Sequence, residues 1–390
     1  MNYTVDVPRI ARKMHNDKKS LVEVATDTPM GKLLRQFWHP VALSRSVAPG
    51  KAISIRILGE DLTLYRGESG EPYVVGARCA HRGTLMHTGW VEGDHIRCIY
   101  HGWLYDASGQ CVERPAETAA GNAGIGGYPA LDYGGLIFAY FGPAPAPEFS
   151  LPRKEILEAA ERVTFARKEQ WPCNWFQMIE NSMDATHVSF AHQAGIVGAF
   201  GKAITTTVPA LKYTETEAGV EQRAVRADDN VRVSDWTFPN NNHIIIPGFT
   251  PRDPWVDICV WMVPVDRENT IRFFIYSAPM QGADAERFTQ YFERYGEYNP
   301  ANHHEELFDK GVYPIEQLIQ LTGAQDYVAT VGQGTIADTE NERLGKSDAG
   351  VVFLRRLFWR ELDALESGEP TKPWRKLTKP AELPHPPVPA

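Results

Sequence analysis

Cys79-Ala80-His81-Arg82-Gly83 is followed by Cys98-Ile99-Tyr100-His101-Gly102-Trp103, with sixteen residues between His81 and Cys98. Each Cys–His pair closes a β-like run and leads into turn residues, so two loops each present one thiol and one imidazole. Around them, short β-like runs at residues 53–58, 62–65, 73–75, 95–99 and 136–141 alternate with glycine-rich turns. That spacing predicts a small all-β domain. A proline-rich stretch over 143–152 marks its end.

Two thiols and two imidazoles form the donor set of a Rieske [2Fe–2S] cluster, in which two histidines replace two cysteines on one iron and raise its potential. Structural zinc is the rival reading. Common zinc fingers pair Cys with Cys and His with His, whereas each loop here mixes the two, which favours a cluster bound by Cys79, His81, Cys98 and His101. Cys111 lies outside both loops and, with Cys173 and Cys259, reads as a buried, inert thiol.

Downstream, Asn181, Asp184, His187 and His192 form a second constellation. A helix over 175–191 would set Asn181, Asp184 and His187 on one face. His192 follows His187 by five residues, a rotation of about 500°, so it would point about 140° away. For both to hold one metal, the helix must end or distort between them, and Gly195 is compatible with a turn there. Two histidines and a carboxylate with open positions make the facial triad of non-haem Fe(II) oxygenases. Asp184 is one candidate carboxylate, although it also suits a hydrogen bond to an imidazole. Glu305, Glu306, Asp309, Asp326, Asp338 and Glu340 are the others, and spacing does not choose among them.

The chain has 390 residues, 43% hydrophobic and 23% charged, enough for two or three domains with proper cores. A formal net charge of −9 disfavours nucleic-acid binding. Apolar runs such as those at 136–141 and 244–246 fall far short of the ~18 residues of a membrane helix. The N-terminal stretch carries charge without an apolar core, so no signal peptide is read. Five cysteines in such a chain do not suggest a disulfide scaffold, and the location expected is cytoplasmic.

After the first domain, β-like runs at 160–170, 208–213, 221–225, 231–238, 243–247, 256–264 and 270–279 predict an antiparallel sheet. Helices are expected over 283–298, 302–320 and 348–365, and a proline-containing tail over 372–390. Strands followed by helices make this an α+β domain. The organisation expected is a helical arm over 1–37, periodic near 30–38, a Rieske domain over 38–145 and a catalytic domain with a mononuclear iron over 146–390. The substrate pocket is expected on the sheet and on the helix bearing Asn181, with Asn241, Asn242, Ile245 and Trp261 as candidate liners. Arg223, Arg226, Arg232 and Arg252 are candidates to clamp a carboxylate. His303-His304 reads as part of a solvated helical face. The glycine-rich stretch 121–127 lacks the context of a dinucleotide-binding fingerprint and reads as a flexible loop.

These residues together resemble the α-subunit of Rieske non-haem iron aromatic-ring-hydroxylating oxygenases, in the phthalate-dioxygenase-like branch. The likeness includes Met30-Gly31-Lys32-Leu33-Leu34-Arg35-Gln36-Phe37-Trp38, the two cluster loops, and the Asn181, Asp184, His187, His192 motif. It extends to Gln325-Asp326, to Gly332-Gln333-Gly334-Thr335-Ile336-Ala337-Asp338 and to Arg343-Leu344-Gly345-Lys346-Ser347-Asp348. Electron-transport Rieske proteins carry an extra cysteine in each loop; Thr84 and Tyr100 stand at those positions here. A proline or similar residue is usual where this chain has Ala80.

The resemblance implies a helix-grip-like antiparallel sheet with helices for the second domain. It implies a [2Fe–2S] cluster, a mononuclear Fe(II) held by His187, His192 and Asp326, and Asp184 as the electron-transfer bridge. It further implies a homotrimer, or a multiple of it, in which a cluster histidine of one subunit faces the iron of the next. The partners implied are an NAD(P)H-dependent reductase of flavin or ferredoxin type, O₂ and a small aromatic substrate. The reaction implied is hydroxylation, with oxidative O- or N-demethylation as the alternative. A Rieske electron carrier without catalysis and a zinc-bound interaction protein are competing readings; neither explains both constellations.

Overall fold

The computed structural model describes residues 21–117, 122–151, 154–192, 207–226, 231–246, 248, 253–295, 299–300 and 318–374. Residues 1–20 of the expected arm, Gly195, Arg252, residues 302–317 with His303, His304, Glu305, Glu306 and Asp309, and the tail beyond 374 lie outside them. Contacts divide the chain into two compact units, one comprising Val24–Asp27 and Gly31–Phe149, the other centred on the chain from Ser150 onward.

The first unit is all-β apart from short helical turns. Its strands are β1 Trp38–Leu43, β2 Ala52–Ile57, β3 Glu60–Arg66, β4 Pro72–Gly76, β5 Trp90–Glu92, β6 His95–Arg97, β7 Leu104–Tyr105, β8 Cys111–Glu113, β9 Gly127–Tyr128, β10 Ala130–Tyr133 and β11 Leu136–Tyr140. They form three antiparallel sheets, β1-β11-β10, β2-β3-β4-β9 and β5-β6-β7-β8. The apolar periodicity near 30–38 does not carry helix throughout. Helix α1 covers Pro29–Leu34, and Trp38 already opens β1. Tight turn bonds, Gln36 N–H to Leu33 O and Phe37 N–H to Leu34 O, end the helix, and Pro40 cannot donate to a continuing one. Tyr65, Val75, Met86, Ile96 and Tyr105 make a buried core that includes Cys79, Cys98 and Cys111. The two loops are thus anchored by their own cysteines.

The second unit is α+β, as expected. Strands β12 Val163–Trp171, β13 Ala210–Glu215, β14 Gly219–Val225, β15 Val231–Thr237, β16 Asn241–Ile246, β17 Val256–Pro264 and β18 Thr270–Ala278 form one antiparallel sheet, ordered β12-β18-β17-β16-β15-β14-β13. Its helices are α2 Lys154–Glu158, α3 Trp175–Ser182, α4 Val188–Ala191, α5 Gly282–Tyr295, α6 Leu318–Val331 and α7 Ala349–Ser367. Helix α6 extends eleven residues beyond the helix expected to end at Gln320. Its sequence is apolar or uncharged nearly all round, so it lacks the one-sided stripe by which a surface helix is read.

The helix expected over 175–191 is two. Helix α3 ends at Ser182, and α4 is a single turn between His187 and His192. Asp184 causes the break: its Oδ1 accepts the main-chain N–H groups of Thr186 (2.8 Å) and His187 (3.3 Å), offering the backbone a partner other than the helix ladder. Asn181, Asp184 and His187 therefore do not share one continuous helical face.

The register pairs Val220 with Trp236, Gln222 with Ser234, Trp236 with Asn242 and Asn242 with Val260, so these side chains share one face of the sheet. Trp236 meets Phe358 of α7 at a ring-centroid distance of 6.0 Å, and Phe358 meets Trp175 and Phe176 of α3 at 5.6 and 5.3 Å. This aromatic cluster fixes α3 and α7 over that face. Phe358→Ala is expected to destabilise the unit by about 3–5 kcal/mol, read as a lower urea midpoint.

Candidate metal centres

In the first unit the two loops close by the same pair of main-chain bonds. Cys79 N–H donates to Thr84 O and Gly83 N–H to Cys79 O, both at 2.9 Å; Cys98 N–H donates to Trp103 O at 2.9 Å and Gly102 N–H to Cys98 O at 3.0 Å. Gly83 and Gly102 take φ of 75° and 72°, a region glycine enters at little cost. A glycine four residues after each cysteine is what the turn requires. The shared geometry turns both sulfurs inward, with Cys79 and Cys98 buried at 4% and 1% exposure. His81 and His101 are exposed, with ring centroids 4.4 Å apart. Burial, aided by the neighbouring Cys79 thiol, pushes the Cys98 thiol up. Tyr105, which the sequence reading did not single out, places its hydroxyl 3.1 Å from Cys79 Sγ while accepting Ala80 N–H at 3.1 Å. A thiolate only accepts, so toward a metal-bound Cys79 the Tyr105 hydroxyl would be the donor.

In the second unit, His187, His192 and Asp326 offer ligand atoms that all lie within 4.8 Å of one another. Asp326 Oδ1 is 3.5 Å from His187 Nε2 and 3.3 Å from His192 Nε2. Cis ligands at about 2.1 Å from a metal stand about 3 Å apart, so the three atoms fit around one ion. His192 Nδ1 is 2.9 Å from Gln325 Oε1. An amide oxygen only accepts, so Nδ1 donates there, and Nε2 is the atom turned to Asp326 and left to bind a metal. Burial alone would raise Asp326, but the charges and hydrogen bonds of His192 and His187 hold it well below the usual carboxylate range. Burial alone would lower His187, and Asp326 and Asp184 reverse that. Asp184 Oδ2 is 3.8 Å from His187 Nδ1.

Of the other carboxylates proposed from sequence, Asp338 and Glu340 are exposed, and Asp338 is engaged with Glu340 N–H and the Asn341 amide in a turn. Asn181, expected in the pocket, turns its amide to Asp326 at 3.3 Å. The remaining liners separate: Asn242 shares the face covered by α3 and α7, whereas alternation puts Asn241, Ile245 and Trp261 on the opposite face. They cannot all line one cavity. Arg223 pairs with Glu221 at 2.6 Å and also points to the opposite face. Arg232 lies on the covered face, opposite Ala224, and Arg226 continues that alternation.

The sequence reading also missed the support beneath α3. Tyr213 Oη and Gln222 Nε2 both donate to Met183 O, at 2.9 and 2.7 Å. A Cβ at Gly350 would sit 2.2 Å from that oxygen, so α7 can approach only as glycine. These groups hold the break between α3 and α4 in place. Gln222→Leu removes one buried donor, a loss of about 1–3 kcal/mol, and is expected to weaken iron retention in dialysis while leaving the cluster spectrum unchanged.

Comparison with known proteins finds a family match over each of the two units. Residues 37–129 match the Rieske [2Fe-2S] domain and residues 139–383 the LigXa C-terminal domain. The chain is 34% identical over 374 residues to the 5,5'-dehydrodivanillate O-demethylase oxygenase subunit of Sphingobium sp., covering 92% of this chain and 82% of that one. It is 30% identical over 379 residues to the phthalate 4,5-dioxygenase oxygenase subunit of Pseudomonas putida, covering 90% and 86%. The terminal oxygenase of carbazole 1,9a-dioxygenase from Novosphingobium sp. KA1 shares the fold, with a TM-score of 0.63 at 16% identity over 89% of this chain and 96% of that one. A Rieske domain followed by a sheet-and-helix domain with a two-histidine, one-carboxylate site defines the class. The chain belongs to the Rieske non-haem iron oxygenases. It is an oxygenase subunit carrying a Rieske [2Fe–2S] cluster and a mononuclear iron. The family works with separate electron-transfer proteins and O₂. Among the described residues no helix is long and apolar enough to cross a membrane.

Proposed function

We propose that this chain oxygenates a small aromatic carboxylic acid, with Cys79, His81, Cys98 and His101 as cluster ligands and His187, His192 and Asp326 as iron ligands. The observation that carries the reading is the convergence of both imidazole Nε2 atoms on Asp326 Oδ1. The bound iron supplies O₂ activation with electrons delivered by the cluster. The chain's own residues then do three things. Gln325 fixes the His192 tautomer, Asn181 orients Asp326, and Asp184 braces the main chain of the His187 turn while its second oxygen faces the imidazole. We assign Asp184 the role of electron-transfer bridge. The exposure of His81 and His101 supports a homotrimer in which they meet the iron site of a neighbouring subunit. An NAD(P)H-dependent reductase and a cytoplasmic setting complete the proposal; five free cysteines accord with that compartment.

The substrate class rests on charge. Burial and the adjacent Arg226 bring Arg232 down to about 10, and among the described residues no carboxylate forms an ion pair with it. A substrate carboxylate on the covered face would offset that cost by charge-assisted hydrogen bonds. Relatives named for phenoxybenzoate, 3-chlorobenzoate and phthalate act on such acids. O-demethylation of a methoxy-substituted acid is the second reading, favoured by the Sphingobium relative. Products from a panel of benzoates and methoxybenzoates, supplied with a surrogate reductase, separate the two: formaldehyde marks demethylation, and no turnover of any acid contradicts the class.

Asp326→Ala is expected to lose the mononuclear iron while retaining the cluster, whereas Asp338→Ala keeps both; metal analysis against the visible spectrum reads the difference. Arg232→Gln is expected to raise KM for the acid about 10- to 100-fold and to leave that of its neutral methyl ester unchanged.

A further inference from the structure

We propose that Arg114, acting through the Trp103 ring, is a positioning residue for His81 and raises the reduction potential of the cluster. The inference rests on the assignment of His81 as a ligand. Leu104 of β7 stands opposite Glu113 of β8, so the next residues outward, Trp103 and Arg114, are brought together at the mouth of the second loop. The Trp103 ring lies parallel to the His81 imidazole, centroids 4.8 Å apart and planes 7° apart. The Arg114 guanidinium carbon is 4.4 Å from the same indole centroid. One indole thus carries both a cation and a cluster ligand.

His101 has a related arrangement in which the rings are tilted by 42° rather than stacked. Its ring lies 3.9 Å from that of Tyr100, over which Arg82 sits at 5.5 Å. Arg82 is exposed, whereas Arg114 is half-buried, and its Nε is fully buried without a hydrogen-bond partner. The neighbouring Glu113 is taken by Arg97 at 2.9 Å, and among the described residues no carboxylate pairs with Arg114. Its charge is therefore neither neutralised locally nor screened as an exposed charge would be. Reduction adds one electron to the cluster, and a fixed nearby cation stabilises the more negative state. Stacking of Arg114 on Trp103 also holds the indole, and with it the plane of the imidazole.

The test is an EPR-monitored redox titration of the full-length holoenzyme and its Arg114→Gln, Arg114→Lys, Arg82→Gln and Trp103→Leu variants, with His81→Ala as the check on the ligand. Loss of the Rieske spectrum in His81→Ala supports the assignment beneath the proposal; its survival removes that assignment irrespective of the potentials. Arg114→Gln is expected to lower the midpoint potential at full cluster content, by more than Arg82→Gln does. Trp103→Leu is expected to change the g-values. A wild-type potential in Arg114→Gln, or a shift no larger than that of Arg82→Gln, overturns the proposal. If Arg114→Gln assembles no cluster, Arg114→Lys decides: a near-wild-type potential with altered g-values supports the proposal, and wild-type values for both, or loss of its cluster too, overturn it.

Discussion

The carbonyl of Met183 is the point on which the iron site depends. It stands at the end of α3, where a helix leaves its last carbonyls without intrahelical donors. Two side chains from adjacent strands, Tyr213 and Gln222, supply those donors, and Gly350 lets α7 close over the same atom. Asp184 gathers the following N–H groups, which interrupts the helix there and starts a new turn. His187 and His192 then flank that single turn and reach Asp326 from its two ends. Had α3 run on to Ala191, the two histidines would have pointed about 140° apart.

The first unit solves a related problem by repetition. Two loops of different Cys–His spacing obtain the same main-chain closure, and a left-handed glycine makes each possible. Sulfur goes to the core and imidazole to the surface. That polarity suits a centre that must be held rigidly on one side and exchange electrons on the other. The rings packed against each histidine, stacked at His81 and tilted at His101, extend the same division, because they keep the exposed ligands from turning freely in solvent.

Much of this was legible in the sequence. The cluster loops could be read because all four donors are local and their residue types are rare together. Strands such as Val256–Pro264 could be read because continuous or alternating apolar runs survive burial. Helix α6 could not, since a helix apolar on all sides shows no period. Asp326 emerged from spacing only as one carboxylate among several, because its partners are more than 130 residues away in sequence. The break after Ser182 was half legible: geometry demanded a distortion, but placed it after His187, whereas the capping oxygen of Asp184 sets it before. Tyr213, Gln222 and Gln325 carry no local signal, since their roles exist only once the sheet and helices have met. The pocket residues mixed the two faces of β16, an error that the period of two in a strand would have exposed.

The central claim is that one polypeptide holds two inorganic centres of different kinds. Iron and acid-labile sulfide analysis of anaerobically isolated protein, combined with EPR of the reduced sample, tests it most directly. The account predicts two irons and two sulfides for the cluster, a further iron per chain, and a rhombic signal of Rieske type. Zinc in place of iron, or two irons with no third, would contradict it.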